Sequence, residues 1–249
     1  MTRWPDGYGR RVLDRVDSTN AEAARIARGL PGPEWILALE QTAARGRRGR
    51  AWASAHGNFA ATLVRPAQEP PAQLSLRSFV AALALHTALA KVTGRPERFA
   101  LKWPNDVLLD GGKLAGILLE SAGGDRAGGV LAIGFGVNLA EAPAADALEP
   151  GAVPPVSLLS LTGVSVTPEE FLDRLAPAFA DYERQLVTYG FAPVRAAWLQ
   201  RAARLGEVIR ARTHSEEIAG IFETVDAAGN LVLSTAGGRR AIAAAEVFF

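Results

Sequence analysis

The sequence predicts an α+β protein in which a larger domain of strands and helices precedes a small all-β domain. Apolar runs of strand length alternate with segments of helical periodicity over most of the chain, and after Gly206 only short strands and turns follow. With 249 residues, of which 49% are hydrophobic and 21% charged, the chain is long enough to bury a sizeable core. We place the domains at residues 1–203 and 204–249.

The larger domain is expected to contain strands and helices in alternation. A short helix is expected over 19–29, because Thr19 and Glu22 have the spacing of a capping box and Gly29 suits a helix end. Further strands are predicted at 35–40, 59–65, 99–103, 107–120 and 130–139, and further helices at 73–93, 168–188 and 193–203. Segment 107–120 is a hairpin whose turn at 110–112 places Lys113 at the start of the returning strand.

The rest of the chain divides into a surface excursion and the small domain. Residues 141–156 are rich in Ala and Pro with little periodicity, which indicates a loop region. Strands are predicted at 207–212, 218–225 and 231–235, separated by turns. A domain of about 44 residues buries too little surface to be stable alone, so it should lean on its neighbour.

Composition excludes several classes of protein. The sequence has no cysteine and three widely separated histidines, which argues against a structural zinc site. Its start lacks the apolar core of a secretory signal, and no uninterrupted apolar run approaches the roughly 20 residues that span a bilayer. A net charge of +1 is far from that of a general nucleic-acid coat protein. We therefore expect a cytoplasmic protein that does not enter a membrane.

Residues 41–52, QTAARGRRGRAW, form the most unusual segment. Four arginines fall within six positions, and no Asp or Glu occurs between Gln41 and Gln68. Glycines allow backbone N–H groups to approach a ligand closely, while guanidinium groups suit carboxylate and phosphate oxygens. The segment therefore predicts a binding loop for a small anion. Because its arginines repel one another, we expect it to be mobile until that anion arrives. A solvated surface or a nucleic-acid patch remains the alternative interpretation.

Two further groups carry possible chemistry near predicted strand ends. In KWPND, Pro104 biases Trp103 toward extended structure, so that Asn105 and Asp106 are presented at a turn. A simple turn is equally compatible with this pattern. Lys113 is either an edge lysine or a point charge for a carboxylate or phosphate, and Gly116 would leave room for a ligand.

Four polar residues and one tryptophan have both a structural and a functional interpretation. Ser18, Thr19 and Asn20 are explained by entry into the first helix. Asn138 could bond to backbone or read a purine edge. Trp52 could pack, or stack on a nucleobase.

Five motifs in order give the chain a family resemblance. DSTN (17–20), QTAARGRRGRAW (41–52), KWPND (102–106), KLAGIL (113–118) and GFGVN (134–138) follow the order and rough spacing found in the biotin protein ligases, which the sequence resembles from about residue 12 to the end. The resemblance implies a mixed β-sheet with flanking helices, the class II synthetase-like biotin/lipoate ligase fold, plus a small SH3-like β-barrel.

The resemblance also implies a two-step reaction. Biotin and MgATP would give biotinyl-5'-AMP and pyrophosphate, and biotin would then pass to a lysine of a biotin carboxyl carrier domain of a biotin-dependent carboxylase. ATP and Mg²⁺ are the cofactors it implies. The type without a DNA-binding domain is expected, because members that repress transcription carry an extra helix-turn-helix domain ahead of DSTN, and here 17 residues precede Ser18.

Site residues follow from the resemblance position by position. Biotin would be bound by Ser18, Thr19, Asn20, Gln41, Arg45, Gly46, Arg47, Lys113 and Gly116. ATP or the adenylate would be bound by Arg47, Arg50, Trp52, Asn105 and Asn138. Arg47 and Lys113 would be catalytic, and Ser18, Thr19 and Gln41 would read the ureido ring. Asp106 would contribute to a Mg²⁺ site through the phosphates, since this ion prefers hard oxygen ligands.

Two rival functions remain at this point. A lipoate or octanoate ligase of the same fold would have no need of Gln41, Ser18 and Arg45 together, because its substrate lacks the ureido group. A nucleic-acid-binding module would use the arginine segment with steep salt dependence, and would leave Lys113 unexplained. One departure from the family pattern is Ala44, where the family usually has Gly, so the entry to the arginine segment is expected to be stiffer.

Overall fold

Two β-sheets and six α-helices organise the residues that the computed structural model describes, which are 3–46, 49–50, 52, 55–122, 129–144 and 152–249. The strands are β1 Gly9–Val16, β2 Glu34–Gln41, β3 Phe59–Ala67, β4 Phe99–Lys102, β5 Asp106–Leu109, β6 Gly112–Ala122, β7 Gly129–Val137, β8 Val208–Arg212, β9 Glu217–Val225, β10 Leu231–Thr235, β11 Gly238–Ile242 and β12 Glu246–Phe248. The helices are α1 Thr19–Ile26, α2 Pro71–Ser75, α3 Arg77–Thr93, α4 Leu158–Thr162, α5 Pro168–Tyr189 and α6 Phe191–Leu199.

The larger sheet has seven strands in the order β1-β2-β3-β7-β6-β5-β4. β1 and β2 run parallel, and the following neighbours pair antiparallel. Helix α1 packs on one face against β2, β3 and β7, while α3 and α5 pack together on the other. This arrangement confirms the expected mixed sheet with flanking helices. Helix α1 covers only part of its face of the sheet, and the rest of that face is open to a ligand.

Helix α3 forms the centre of the core. Within the described residues, segment 71–93 is long and apolar enough to cross a membrane by length and composition, with a mean hydropathy of 1.2. Yet 61% of that window is buried inside the fold, and Phe79 stacks edge-to-face on Phe191 and Trp198 at centroid distances of 5.0 and 5.3 Å. Its apolar surface is therefore used by the core.

The second sheet is antiparallel, with five strands in the order β11-β10-β9-β8-β12. This sheet agrees with the expected small SH3-like barrel. It leans on the larger domain: Trp103 Nε1 donates to the Gly229 carbonyl at 3.1 Å, and the rings of Trp198 and Phe222 lie 6.5 Å apart. Strand β12 is thereby brought beside the open face of the larger sheet.

The predicted capping box at the start of α1 is wrong. Ser18 is the N-cap, and no side chain makes a capping hydrogen bond there. The Thr19 hydroxyl instead donates to Gln41 Oε1 at 3.2 Å, and Glu22 accepts from Arg25 Nε at 2.7 Å. The Thr19 hydroxyl thus makes a hydrogen bond to a residue distant in sequence and does not cap the helix.

Several elements were not predicted from the sequence. They are β1, α4, β11 and β12, which are short or, like β1, have most of their residues partly or fully exposed. The predicted helix over 193–203 begins two residues earlier and ends at Leu199. Part of the predicted surface excursion, 145–151, lies outside the described residues.

Candidate active site

A cavity of about 390 Å³ lies between the open face of the larger sheet, the arginine segment and β12. Predicted site residues that line it are Ser18, Thr19, Asn20, Gln41, Arg45, Gly46, Arg50, Trp52, Asn105, Asp106, Lys113, Gly116 and Asn138. The predicted catalytic residue Arg47 lies outside the described part of the chain. The structure therefore brings together every predicted site residue that it describes, while their individual roles remain predictions.

The floor of the cavity is a row of paired residues across four neighbouring strands. Lys102 pairs with Asp106, Asp106 with Gly116, and Gly116 with Gly136, so all four are on one face. The Trp52 ring rests on the two glycines: a Cβ atom added at Gly136 would lie 2.5 Å from Trp52 Cε2, and one at Gly116 would lie 3.1 Å from Cζ3. Glycine is required here because the indole approaches the backbone so closely.

One end of the cavity is built from neutral hydrogen-bonding groups. Gln41 Oε1 accepts from the backbone N–H of Thr19 at 2.8 Å and from its hydroxyl at 3.2 Å. The Thr62 hydroxyl lies 2.8 Å from Thr19 Oγ1 and 2.6 Å from Asn20 Oδ1, and Asn20 Nδ2 donates to Glu120 at 2.6 Å. These contacts fix the orientation of both amides, since each acceptor oxygen is already used.

The other end of the cavity is charged. Lys113 Nζ lies 2.8 Å from Asp106 Oδ1, a close ion pair without hydrogen-bond geometry, and 5.9 Å from the Trp52 ring centroid. The Lys113 backbone is held by a hydrogen bond to the Pro154 carbonyl at 2.7 Å. Lys102 is buried, and burial lowers the pKa of its ammonium group; Lys113 lowers the pKa further, while Asp106 opposes the shift.

Glu246 of β12 joins the arginine segment to the second sheet. Its carboxylate accepts from Arg50 Nη1 at 2.6 Å and Nη2 at 3.1 Å, and from Arg212 Nη2 at 3.2 Å. Partial burial alone would raise the pKa of Glu246, but these hydrogen bonds lower it to about 2. Sequence reasoning missed Glu246 because 196 positions separate it from Arg50.

Lys102 was also missed as a site residue. It is the first residue of the KWPND motif, whose predicted site residues were Asn105 and Asp106. Only the antiparallel pairing of Lys102 with Asp106 places the two residues on one face of the sheet, and the sequence alone does not show that pairing.

Two asparagines stabilise the walls of the cavity through hydrogen bonds to backbone carbonyls. Asn105 Nδ2 donates to the Ile117 carbonyl at 2.6 Å, and the Ile117 N–H donates back to the Asn105 carbonyl at 2.9 Å. Asn138 Nδ2 donates to the Val156 carbonyl at 3.1 Å. Its Oδ1 is buried and has no hydrogen-bond partner among the described atoms. Asn138 therefore combines the structural interpretation with an acceptor that a ligand N–H group could use.

The described residues contain no group of three or more His, Cys, Asp or Glu side chains that could hold a metal ion by themselves. Asp106 is the carboxylate on the cavity floor. A single carboxylate fits Mg²⁺ that arrives with substrate phosphates, because this ion keeps several waters and needs few protein ligands.

Comparisons with known proteins show the family to which the chain belongs. The family described as "Biotin/lipoate A/B protein ligase family" matches residues 12–138, and "Biotin protein ligase C terminal domain" matches residues 205–249. The chain is 59% identical over 238 residues to the biotin--[acetyl-CoA-carboxylase] ligase of Paracoccus denitrificans, covering 96% of this chain and 99% of that protein. It is 32% identical over 243 residues to the bifunctional ligase/repressor BirA of Bacillus subtilis (strain 168), covering 94% of this chain and 72% of the relative.

A solved structure shows the same fold. The biotin protein ligase from Aquifex aeolicus in complex with biotin and ATP superposes with a TM-score of 0.79 at 24% identity, covering 96% of this chain and 97% of that one. The two family matches together cover more than half of the residues of this chain. Its fold agrees with that of the Aquifex aeolicus structure over nearly the whole chain. The chain therefore belongs to the biotin/lipoate A/B protein ligase family.

Proposed function

We propose that this protein is an ATP-dependent biotin ligase, which converts biotin and ATP to biotinyl-5'-AMP and pyrophosphate and then transfers biotin to a lysine of a carrier domain. One observation carries the proposal. A single cavity has a neutral hydrogen-bonding end at Thr19 and Gln41, a charged end at Lys113 and Arg50, and a glycine floor between them. Biotin has the matching parts, namely a ureido ring, an aliphatic chain and a carboxylate.

The neutral end suits the ureido ring. Because Gln41 Oε1 accepts two hydrogen bonds from Thr19, its Nε2 group is left to donate to a ureido carbonyl. Ser18 and Asn20 line the same end of the cavity. An acid without a ureido group would leave these polar groups unpaired on binding, which costs free energy and favours biotin over lipoate or octanoate.

The charged end suits the first reaction. A biotin carboxylate oxygen must attack the α-phosphorus of ATP, forming a new P–O bond while the bond to the pyrophosphate leaving group breaks. Both reactants are anionic, so cations that hold them together offset the repulsion and align them. Lys113, Arg45 and Arg50 line this part of the site, and Arg47 is proposed to act with them.

The second reaction transfers the acyl group to an amine. The neutral amine of a lysine attacks the carbonyl carbon of the mixed anhydride, and AMP leaves. The name of the Paracoccus relative gives acetyl-CoA carboxylase as that protein's acceptor. We propose a biotin carboxyl carrier domain of a biotin-dependent carboxylase as the acceptor here. A lysine ammonium with a pKa of about 10.4 must first lose a proton, at a cost of roughly 4–5 kcal/mol at pH 7.

Mg²⁺ would enter with the triphosphate, and Asp106 would supply the carboxylate that holds it near the site. When bound, the ion neutralises phosphate charge. We propose that the reaction takes place in the cytoplasm, where ATP is available and a chain without cysteines needs no disulfides.

The nucleic-acid alternative is less well supported. It requires the arginine segment to present its cations to a partner in solution. Instead, Arg45, Gly46 and Arg50 line the cavity, and Arg50 pairs with Glu246. Binding of single-stranded nucleic acid that falls steeply with salt would revive this alternative. The absence of sequence-specific DNA binding stays a separate prediction.

An ATP/pyrophosphate exchange assay tests the proposal. Exchange should require biotin and should remain at the background of the acid-free control with lipoate or octanoate. A carrier domain incubated with enzyme, biotin and ATP should gain the mass of one biotinyl group at its acceptor lysine. Exchange with lipoate as fast as with biotin would refute the assignment of the substrate, and no exchange with any acid would refute the proposed activity.

A further inference from the structure

We propose that Thr62 is a positioning residue for biotin, which acts on the ureido ring through Thr19 and Asn20 without touching the ligand. The inference rests on the proposed function and deepens it, because it explains how one end of the cavity comes to accept an N–H group. Thr62 is fully buried, whereas Thr19 and Asn20 line the cavity. Thr62 itself is not among the described residues that line it.

The larger sheet places Thr62 beneath the neutral end of the cavity. In the centre of β3 it pairs with Ile36 of β2 and Gly134 of β7, so these positions share the face on which α1 packs. Gly134 precedes Gly136 of the cavity floor by two positions and lies on the same face. A Cβ atom added at Gly134 would collide with the Asn20 carbonyl oxygen. The absence of a side chain there thus lets the Asn20 amide lie against β7, within reach of Thr62.

The direction of the hydrogen bonds in this cluster follows from Glu120. A carboxylate only accepts, so the Asn20 atom that lies 2.6 Å from Glu120 Oε2 must be the amide nitrogen. The amide oxygen of Asn20 therefore faces Thr62 Oγ1 at 2.6 Å and takes the single proton of that hydroxyl. The lone pairs of Thr62 are then left for a donor, and the Thr19 hydroxyl lies 2.8 Å away.

The Thr19 hydroxyl consequently offers an acceptor to a ligand. Its proton is attracted away from the cavity by Thr62 Oγ1 at 2.8 Å and by Gln41 Oε1 at 3.2 Å, so lone pairs are what it has left. A ureido ring has two N–H groups beside its carbonyl. An acceptor at Thr19 therefore complements the donor that Gln41 Nε2 offers to that carbonyl. Thr62 helps to set the polarity that this end of the cavity shows to a ligand.

Packing of α1 on the sheet is the alternative role of these contacts. Loss of the Thr62 hydroxyl would then loosen the helix and weaken all ligands of the neutral end alike. A positioning role predicts a narrower effect, because only a ligand that donates an N–H group to Thr19 loses a partner. The two roles therefore differ in their effect on ligand selectivity.

The test compares Thr62→Val, which has nearly the same shape and suits a strand, with Thr62→Ser, which keeps the hydroxyl. Thr87→Val is the matched control, because it removes a partly buried hydroxyl of α3 that lies 3.3 Å from the Tyr182 hydroxyl, outside the cavity. Calorimetry measures the binding of biotin and of two cyclic carbamate analogues, in each of which an oxygen atom replaces one ureido N–H. Pyrophosphate exchange gives kcat and the KM values, and thermal unfolding shows whether each variant is folded.

Thr62→Val should bind biotin about tenfold more weakly, and its KM for biotin should rise while kcat and the KM for ATP stay unchanged. Wild type should bind one carbamate analogue at least about tenfold more weakly than biotin, since that analogue lacks the N–H group for Thr19. In Thr62→Val this ratio should shrink to less than about threefold, because the Thr19 hydroxyl can turn its proton toward the ligand. Thr62→Ser should restore both values to within about twofold, and Thr87→Val should match wild type.

Glu120→Ala tests the far end of the cluster. Without the carboxylate the Asn20 amide can turn, and the Thr62 hydroxyl is then free to donate to Thr19. Biotin affinity should fall, and Glu120→Ala combined with Thr62→Val should cost no more than Thr62→Val alone, because both act through the same chain of hydrogen bonds. Fully additive losses would contradict a chain that leads from Glu120 to Thr19.

Three results would overturn the role of Thr62. Equal weakening of biotin and both carbamate analogues by Thr62→Val would assign the residue to packing. Unchanged biotin affinity in Thr62→Val would remove any role. A Thr62→Ser variant as weak as Thr62→Val would show that the hydroxyl is not what matters. Failure of the proposed function is distinct, because wild type would then neither bind biotin nor exchange pyrophosphate in its presence.

Discussion

Glu246→Gln tests whether a charged contact, as distinct from shape alone, couples the arginine segment to the second sheet. Glutamine keeps the size of the side chain and removes the charge that the guanidinium groups of Arg50 and Arg212 bind. The folded pKa of Glu246 is about 2, against an ordinary value of 4.5. A depressed carboxyl pKa contributes stability that is fully present above pH 4.5 and is lost as the pH falls toward 2.

The magnitude follows from the shift and the exposure. At 1.36 kcal/mol per pKa unit the full shift corresponds to about 3 kcal/mol, which is an upper limit. The side chains of Glu246, Arg50 and Arg212 are 23%, 58% and 38% exposed, so solvent screens much of the interaction. We expect Glu246→Gln to lower the free energy of unfolding by about 1–2 kcal/mol at pH 7, a fall in Tm of roughly 3–6 °C for a chain of this size.

Thermal or urea unfolding at pH 7 and at pH 2.5 measures this effect. Glu216→Gln is the matched control, because Glu216 pairs with Arg240 at 2.7 Å while both side chains are about half exposed. That substitution should change stability by less than about 0.5 kcal/mol. The cost of Glu246→Gln should shrink at pH 2.5, where the wild-type carboxylate is becoming protonated.

Equal destabilisation by Glu246→Gln at the two pH values would refute this reasoning, since the loss would then come from packing. A cost no larger than that of Glu216→Gln would show that the pair contributes no more than an ordinary surface contact.

Three other substitutions test separate parts of the structure. Gly136→Ala places a methyl carbon 2.5 Å from Trp52 Cε2, so the indole must move by about 1 Å. Biotin affinity measured by calorimetry should therefore fall about tenfold. The control Gly29→Ala has open space at its Cβ and should leave the affinity unchanged. Burial and the charge of Arg201 lower the pKa of His86 to about 4. The free energy of unfolding should therefore decline by up to about 3 kcal/mol as the pH falls from 6.5 to 4. His86→Gln should abolish this dependence when unfolding is measured across that pH range. Lys113→Met should slow pyrophosphate release at subsaturating biotin about 10²-fold, and an unchanged rate would contradict its proposed contact with the carboxyl oxygen.

The sequence was most informative where function concentrates chemistry into short motifs. Residue types suited to an anion were visible in the arginine segment, at the turn of Asn105 and Asp106, and near the start of β6. Among the described residues of these motifs, Arg45, Arg50, Asp106 and Lys113 line one cavity. The hairpin turn before Lys113 was also predictable, because Asp and Gly are the residue types that adopt positive φ in such turns. Asp110 and Gly111 do so, with φ values of 48° and 83°.

What could not be predicted depends on contacts between distant positions. Thr19 looked like a capping residue, and only the packing of α1 against β2 shows that its hydroxyl serves Gln41. Glu246 belongs to a strand of three residues, which carries almost no periodic signal, and its partner Arg50 lies in the other domain. Pairing across the sheet likewise determines that Lys102 and Asp106 share a face.

Two cations that we propose bind the substrate are each paired with a carboxylate of the protein, and this pairing has a consequence for selectivity. Arg50 is held by Glu246 through two hydrogen bonds, and Lys113 is held by Asp106. Chloride or inorganic phosphate gains little by entering, because it would have to displace a tethered carboxylate of the protein with a contact of similar strength. A molecule whose anionic groups are joined covalently can displace both carboxylates in one event, and the second contact then forms at a high effective concentration. The site should thus discriminate by the number of linked charges, so that simple anions bind it only weakly.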